Sequence, residues 1–445
     1  MRIAFVLIAA IAILCDCKSS PQSAHPTSAP VVNDNFAFKR LETLCDKFGS
    51  RFSGSTNLEM AIDWIVGEMN KDGLENVHTE PVMVPHWVRG EESAELIEPR
   101  HRILPMLGLG GSIATPPEGI AAEVLVVKSF EDLKQRGEQA RGKIVLFNEP
   151  FRTYHETVQI RRRGAIEAAR LGGIGSLIRS VTPFSMQTPH TGGMVYSNDV
   201  PKIPHAAITP EDADMLQRMQ ERGERIVVKL KMSAQTLPDV QSRNVVAEIR
   251  GREKPDEIVV VSGHIDSWDV GQGAMDDGGG CVASWEVLRR LKLRNERPRR
   301  TIRLVLWVNE ENGLRGARTY VKDHQQELSK HVLAIESDQG VFKPRGFEFK
   351  GTDAAFNRIK QYGKPLASLG ITEFKTDADE ADVAEMVPFG VPILDLIVHD
   401  EKYFWYHHTE ADTPDKLNAT DLNDCATALG VMAWQVADAP DPLPR

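Results

Sequence analysis

Glu257-Ile-Val-Val-Val-Ser-Gly-His264-Ile-Asp266 is a continuous apolar run that ends on polar residues. Its β-branched side chains suit a strand, and the lack of polar alternation predicts burial on both faces. Four further runs after about residue 240 share this texture: NVVAEIRG before it, then TIRLVLWVNEEN, HVLAIESDQG and VPILDLIV. Helical segments, CVASWEVLRRLKL and RGARTYVKDHQQEL, follow the second and third runs. Continuous strands alternating with helices predict an α/β domain on a mostly parallel sheet.

The runs share a second property: they end in residues that bind metals. The first quoted run delivers His264 and Asp266, the next Glu310 and Glu311, the next Glu336-Ser-Asp338. In an open α/β sheet ligands bind beyond the carboxyl ends of the strands, so these residues are expected at one edge. Gly273-Ala-Met-Asp276-Asp277-Gly-Gly-Gly280 lies between strand and helix, where glycines permit a sharp turn and acids meet a helix N-terminus. Each piece alone has an ordinary reading, a packed histidine, a helix cap or a turn. Four successive positions of one chemistry do not. Imidazole and carboxylates without thiolates suit Zn²⁺ or another first-row divalent ion. Several acids from different strands also suit a two-metal site, in which one carboxylate, most naturally Asp276, bridges ions about 3.5–4 Å apart. Asp266 shares a side with His264 and is expected to accept a hydrogen bond from its far ring nitrogen. A second histidine is needed, and spacing does not choose among His399, His407 and His408.

The remainder of the chain sets bounds. The 445 residues, 41% hydrophobic and 26% charged, make a globular protein of two domains or more. A net charge of -10 gives no general attraction for nucleic acid, and the basic clusters Arg161–Arg163 and Arg289–Arg300 have no interleaved aromatics. The apolar run Ile3–Leu14 is too short to span a bilayer and reads as an export signal over residues 1–17, followed by a Ser/Pro-rich linker over 18–33. This predicts a secreted or periplasmic protein, with lipid anchoring at the cell envelope through Cys15 or Cys17 as the lesser alternative. Cys45, Cys281 and Cys425 are too few for a disulfide framework and are expected to pack. The texture changes over 118–235, where short strands (EVLVVKSF, GKIVLFNEP, SLIRSV, RIVVKLKMS) surround a helix. That segment holds His190 and His205 but no acid–histidine cluster, so it reads as an insertion without chemistry. It divides a catalytic domain into 34–117 and 236–440.

GHIDSWDVGQGAMDDGGG, NEENGLRGA, ESDQG and HHTEADTPDKL resemble, in order and spacing, the co-catalytic dizinc aminopeptidase family, and within it the plasma glutamate carboxypeptidase branch. The resemblance covers the chain beyond the signal. It implies a three-layer α/β/α zinc-peptidase fold with an inserted β-rich protease-associated domain, marked by GKIVLFNEP and AIEAARLGGIGSLI. It further implies two Zn²⁺ per chain, one held by His264, Asp276 and Asp338, the other by Asp276, Glu311 and His408. Glu310 matches the general base, Asp266 the acid behind His264, and Asp276-Asp277 a cis peptide bond. His407 stands where some relatives carry an oxyanion-stabilising tyrosine, and Asp382, in the acidic loop before Gly390, is a candidate to hold a substrate amine, with a solvated loop acid as the alternative reading. The implied activity is hydrolysis of the N-terminal peptide bond of dipeptides or short peptides by a homodimer. Two other readings are a non-catalytic binding relative, which would lack ligands that are present here, and a glutaminyl cyclase-type zinc acyltransferase.

Overall fold

The computed structural model describes residues 35–379 and 381–445. The segments read above as export signal and linker, with both N-terminal cysteines, lie outside them. Eight strands form the larger sheet: β1 (Glu75–Val88), β2 (Gln235–Ile249), β3 (Lys254–His264), β4 (Arg300–Trp307), β5 (His331–Glu336), β6 (Pro344–Lys350), β7 (Glu373–Thr376) and β8 (Ile393–Val398). Their order is β1-β2-β4-β3-β5-β8-β6-β7. The four central strands β4, β3, β5 and β8 are mutually parallel, and antiparallel neighbours flank them on both sides. The register pairs His264 with Trp307 and Ser262 with Glu336, which brings the polar ends of β3, β4 and β5 level.

Burial on both faces follows from the unbroken apolar runs. Val259 and Val261 enter one core with Leu41, Ile62, Trp285 and Leu429. Ile258 and Val260 enter another with Trp307, Tyr320 and Val383. Helices Phe36–Phe48, Thr56–Lys71, Gly279–Leu293 and Ala419–Asp438 cover the first face, and Arg315–Asp323 covers the second. The result is the expected three-layer α/β/α arrangement. Among the described residues no helix is long and apolar enough to cross a membrane.

A second eight-stranded sheet lies between β1 and β2 in the chain. Its strands are, in spatial order, Arg102–Leu104, Glu92–Glu98, Val227–Met232, Ile120–Val127, Ile144–Phe147, Gly175–Arg179, His205–Ile208 and Met106–Gly108. It therefore takes in chain well before residue 118, where the sequence texture placed its start. The early strands are three to seven residues long and the Pro-rich link EPRHRILP reads as loop, so they leave little periodic signal. Helix Tyr154–Arg170 packs on this sheet and begins on a Thr153 cap whose side chain accepts from the Glu156 N–H.

Candidate metal centre

His264 ends β3 fully buried, with Nδ1 2.9 Å from the Asp266 carbonyl oxygen. A carbonyl can only accept, so Nδ1 carries the proton and Nε2 is left as the ligand atom. The tautomer is therefore fixed by the Asp266 backbone, not by its carboxylate as the sequence suggested; the nearest carboxylate oxygen is 3.8 Å away. That carboxylate turns instead to the next strand. Its Oδ1 accepts the Glu310 N–H at 3.2 Å and its Oδ2 the Glu311 N–H at 3.4 Å.

Asp276 sits between two sets of ligands. Nε2 of His264 is 3.2 Å from Asp276 Oδ1 and 3.1 Å from Asp338 Oδ1. Nε2 of His408 is 3.3 Å from Asp276 Oδ2 and 3.1 Å from Glu311 Oε2. Each Asp276 oxygen thus faces a different histidine. His407 stacks on His408 at 3.4 Å between ring centroids, with its Nε2 3.6 Å from Asp276 Oδ2. His399 is exposed beside Glu401 and takes no part. The Asp276-Asp277 peptide bond is cis. Asp277 accepts the backbone N–H groups of His264 and Gly280 and so ties the turn to β3. Gly280 is required there, because a Cβ would stand 2.0 Å from the Ser337 carbonyl.

Two residues that sequence reasoning missed hold this turn. Arg51 is fully buried and donates to the carbonyls of Ile265, Gln272 and Gly273 at 2.7–2.8 Å. Asp412 accepts from the N–H groups of Ala274, Met275 and Asp276 at 2.7–3.2 Å. Burial pushes its carboxyl up to about 7. Their only sequence signals are a lone arginine in FGSRFSGS and an acid soon after the histidine pair.

The electrostatics call for a cation. Burial, reinforced by Asp276 and Asp338, pushes the Glu310 and Glu311 carboxyls well above the usual range. Burial works on Asp276 in the same direction, but the His264 and His408 imidazoles outweigh it. Asp276 Oδ2 and Glu311 Oε1 are buried with no hydrogen-bond donor among the described residues, a costly arrangement unless a positive ion fills it. The ligand atoms of His264, Asp276 and Asp338 lie within 4.8 Å of one another, as do those of Asp276, His407 and His408. Oxygen and imidazole donors in two such groups fit a pair of first-row divalent ions.

Asp382 is fully buried near Glu336, Glu310 and His264, and neither of its oxygens has a partner among the described residues. Burial, then Asp338, lifts Glu336 to about 8. The 118–235 segment, expected to carry no chemistry, reaches the centre. His190 Nδ1 is 2.7 Å from the His407 carbonyl, Thr191 donates its N–H to the His408 carbonyl at 3.0 Å, and Arg161 and Tyr154 stand beside the histidine pair.

The chain resembles known proteins over nearly its whole length. Residues 244–433 match Peptidase family M28. Carboxypeptidase Q of Xenopus laevis is 50% identical over 411 residues, which is 92% of this chain and 88% of that protein. The crystal structure of a peptidase M28 precursor from Shewanella amazonensis superposes with a TM-score of 0.90 at 34% identity, covering 93% of this chain and 96% of that one. A zinc aminopeptidase from Bacillus subtilis shares the fold, with a TM-score of 0.68 at 20% identity over 92% of this chain and 98% of its own. The chain therefore belongs to peptidase family M28 and is a metallo-exopeptidase.

Proposed function

We propose that this protein is an exported, zinc-dependent exopeptidase that cleaves the first peptide bond of dipeptides and short peptides with a free amine. The observation that carries the reading is Asp276, with one carboxylate oxygen toward His264 and Asp338 and the other toward His408 and Glu311. On this reading His264, Asp276 and Asp338 hold one zinc, and Asp276, Glu311 and His408 the other. Two zinc ions there would polarise the scissile carbonyl and lower the pKa of water at the site. Glu310 takes a proton from that water and passes it to the leaving amine. Its carboxylate makes no hydrogen bond among the described residues, so nothing in the protein competes for that proton. His407, buried and held well below the ordinary histidine range by burial and then by His408, is neutral and can donate to the developing oxyanion. Asp382 receives the substrate ammonium, the partner that its two unbonded oxygens lack.

An exported enzyme agrees with the apolar N-terminus, and we read the second sheet as a protease-associated insertion. The homodimer belongs to the same proposal. Purified protein supplied with zinc should hydrolyse Ala-Leu, leave N-acetyl-Ala-Leu intact and lose activity to a chelator. Absence of zinc-dependent cleavage of every free-amine peptide would sink the reading. Cyclisation of an N-terminal Gln peptide without hydrolysis would replace it by the acyltransferase alternative.

A further inference from the structure

Arg161 is a buried cation without a counterion. Its side chain projects from helix Tyr154–Arg170 of the second sheet and is 6% exposed. Nη2 donates to the Tyr154 hydroxyl at 2.8 Å, Nη1 donates weakly to the Thr191 carbonyl at 3.4 Å, and Nε has no partner. Among the described residues no carboxylate lies within ion-pair distance of it. Its remaining neighbour is His408 Nδ1 at 3.4 Å. If His408 binds metal through Nε2, its Nδ1 carries a proton and cannot accept from a guanidinium; the Thr191 carbonyl, also at 3.4 Å, is its acceptor. Two donors therefore face each other, and the guanidinium is left short of negative charge.

A buried charge is costly unless paired, so an arginine kept in this condition beside a reaction centre marks the place of an anion. Tyr154 strengthens the case. Its ring meets His407 edge-on at 5.2 Å and stacks on Phe404 at 4.8 Å, which fixes the hydroxyl beside Arg161. Near His264 and Glu310 stands Asp382, an unpartnered buried acid. Two unsatisfied groups of opposite charge thus stand by the candidate ligands, Asp382 near His264 and Arg161 near His408. A dipeptide with both termini free carries the complementary charges, separated by roughly 7 Å of chain.

We infer that Arg161, with Tyr154, receives the free α-carboxylate of the substrate, so that the centre measures dipeptides between Asp382 and Arg161. This deepens the exopeptidase reading and rests on it. The guanidinium offers a forked set of donors that suits a carboxylate, whereas a C-terminal amide offers it no charge. The second sheet then supplies specificity to a centre whose catalytic groups come from the first.

The test compares Ala-Leu with Ala-Leu-amide on the full-length zinc-loaded protein. kcat/KM should favour the free acid by about 30-fold or more. Arg161→Gln should bring the ratio toward one, Arg161→Lys should restore part of it, and Tyr154→Phe should lower it to a lesser degree. Calorimetric binding of leucine against leucinamide should show the same preference without turnover, and zinc per chain measured in each variant separates loss of metal from loss of recognition. An unaltered enzyme that treats acid and amide alike overturns the inference, even if no variant folds. So does an Arg161→Gln protein that loses activity on both substrates equally and keeps the ratio. If the unaltered enzyme cleaves neither peptide, the exopeptidase reading itself falls and takes the inference with it.

Discussion

At Glu310 and Glu311 two adjacent carboxylates are turned to different surroundings by one aspartate upstream. Each backbone N–H is held by a different oxygen of Asp266, while Asn309 before them takes a left-handed φ of 66°. Such a backbone costs about 1–3 kcal/mol at a non-glycine residue and persists only where its surroundings impose it. The turn aims Glu311 at His408, 3.1 Å away, and leaves the Glu310 carboxylate unbonded. Glu310→Gln should therefore keep its zinc and lose about 10²–10⁴-fold in kcat. Glu311→Gln should lose zinc affinity first, read by metal analysis after dialysis. Equal metal loss in both variants would refute the division. The candidate ligands were legible in the sequence because strand ends in an α/β sheet converge, and the choice of His408 over His399 and His407 came from the family resemblance alone. Arg51 and Asp412 were illegible for a physical reason. Their partners in the turn are backbone atoms more than 130 residues distant, and a backbone atom leaves no mark on a sequence.

At the scale of elements, the five apolar runs became β2, β3, β4, β5 and β8, because β-branched continuity is the strongest signal a buried strand emits. β1 gave no such signal. It contains Pro81 and Pro85, which an edge strand tolerates because one side of its backbone is unpaired. The two N-terminal helices bury Leu41, Leu44 and Cys45 on one and Ile62, Ile65 and Met69 on the other, while Phe36 and Met60 stay exposed and Arg40 and Leu58 are buried. Arg40 is accommodated by Asp72 at 2.9 Å and the Trp285 ring at 3.8 Å, contacts that periodicity cannot foresee. β1 is also joined to the end of helix Arg315–Asp323 by charge. Glu80 lies 2.8 Å from His324 and 3.4 Å from His78. Burial opposes its ionisation, but the two imidazoles hold its carboxyl down at about 2, and Glu80 in turn raises both histidines. A depressed acid contributes stability above its unfolded pKa of about 4.3, and raised histidines contribute it below about 6.5 and lose it as pH climbs through their folded values. The contribution is therefore greatest near pH 5.5. Glu80→Gln should cost about 1 kcal/mol there, discounted for partial exposure, and less at pH 8.5. Denaturant unfolding at the two pH values checks this, and an equal loss at both would contradict it.

Over the whole molecule, the unit built on the second sheet is part of the catalytic centre's surroundings and not a detached appendage. Arg89, at the junction, clamps Asp269 of the loop after β3 through two bonds of 2.6 and 2.8 Å and reaches Thr191 at 3.2 Å. The same loop of the second unit grips the His407-His408 backbone. Sequence reading separated the two because the contacts are few and run between segments far apart in the chain. The basic run Arg289–Arg300, which carried no nucleic-acid signal, is instead spent on ion pairs with Glu286, Glu75, Glu253 and Glu257. Whether Asp276 joins two metal positions into one hydrolytic centre, as proposed, is decided by stripping the protein with a chelator and titrating zinc back while Ala-Leu cleavage and bound metal are followed together. Activity should vanish with the metal and be fully restored only as the second equivalent per chain binds. Activity that survives chelation, or that is complete at one zinc per chain, would contradict the proposal.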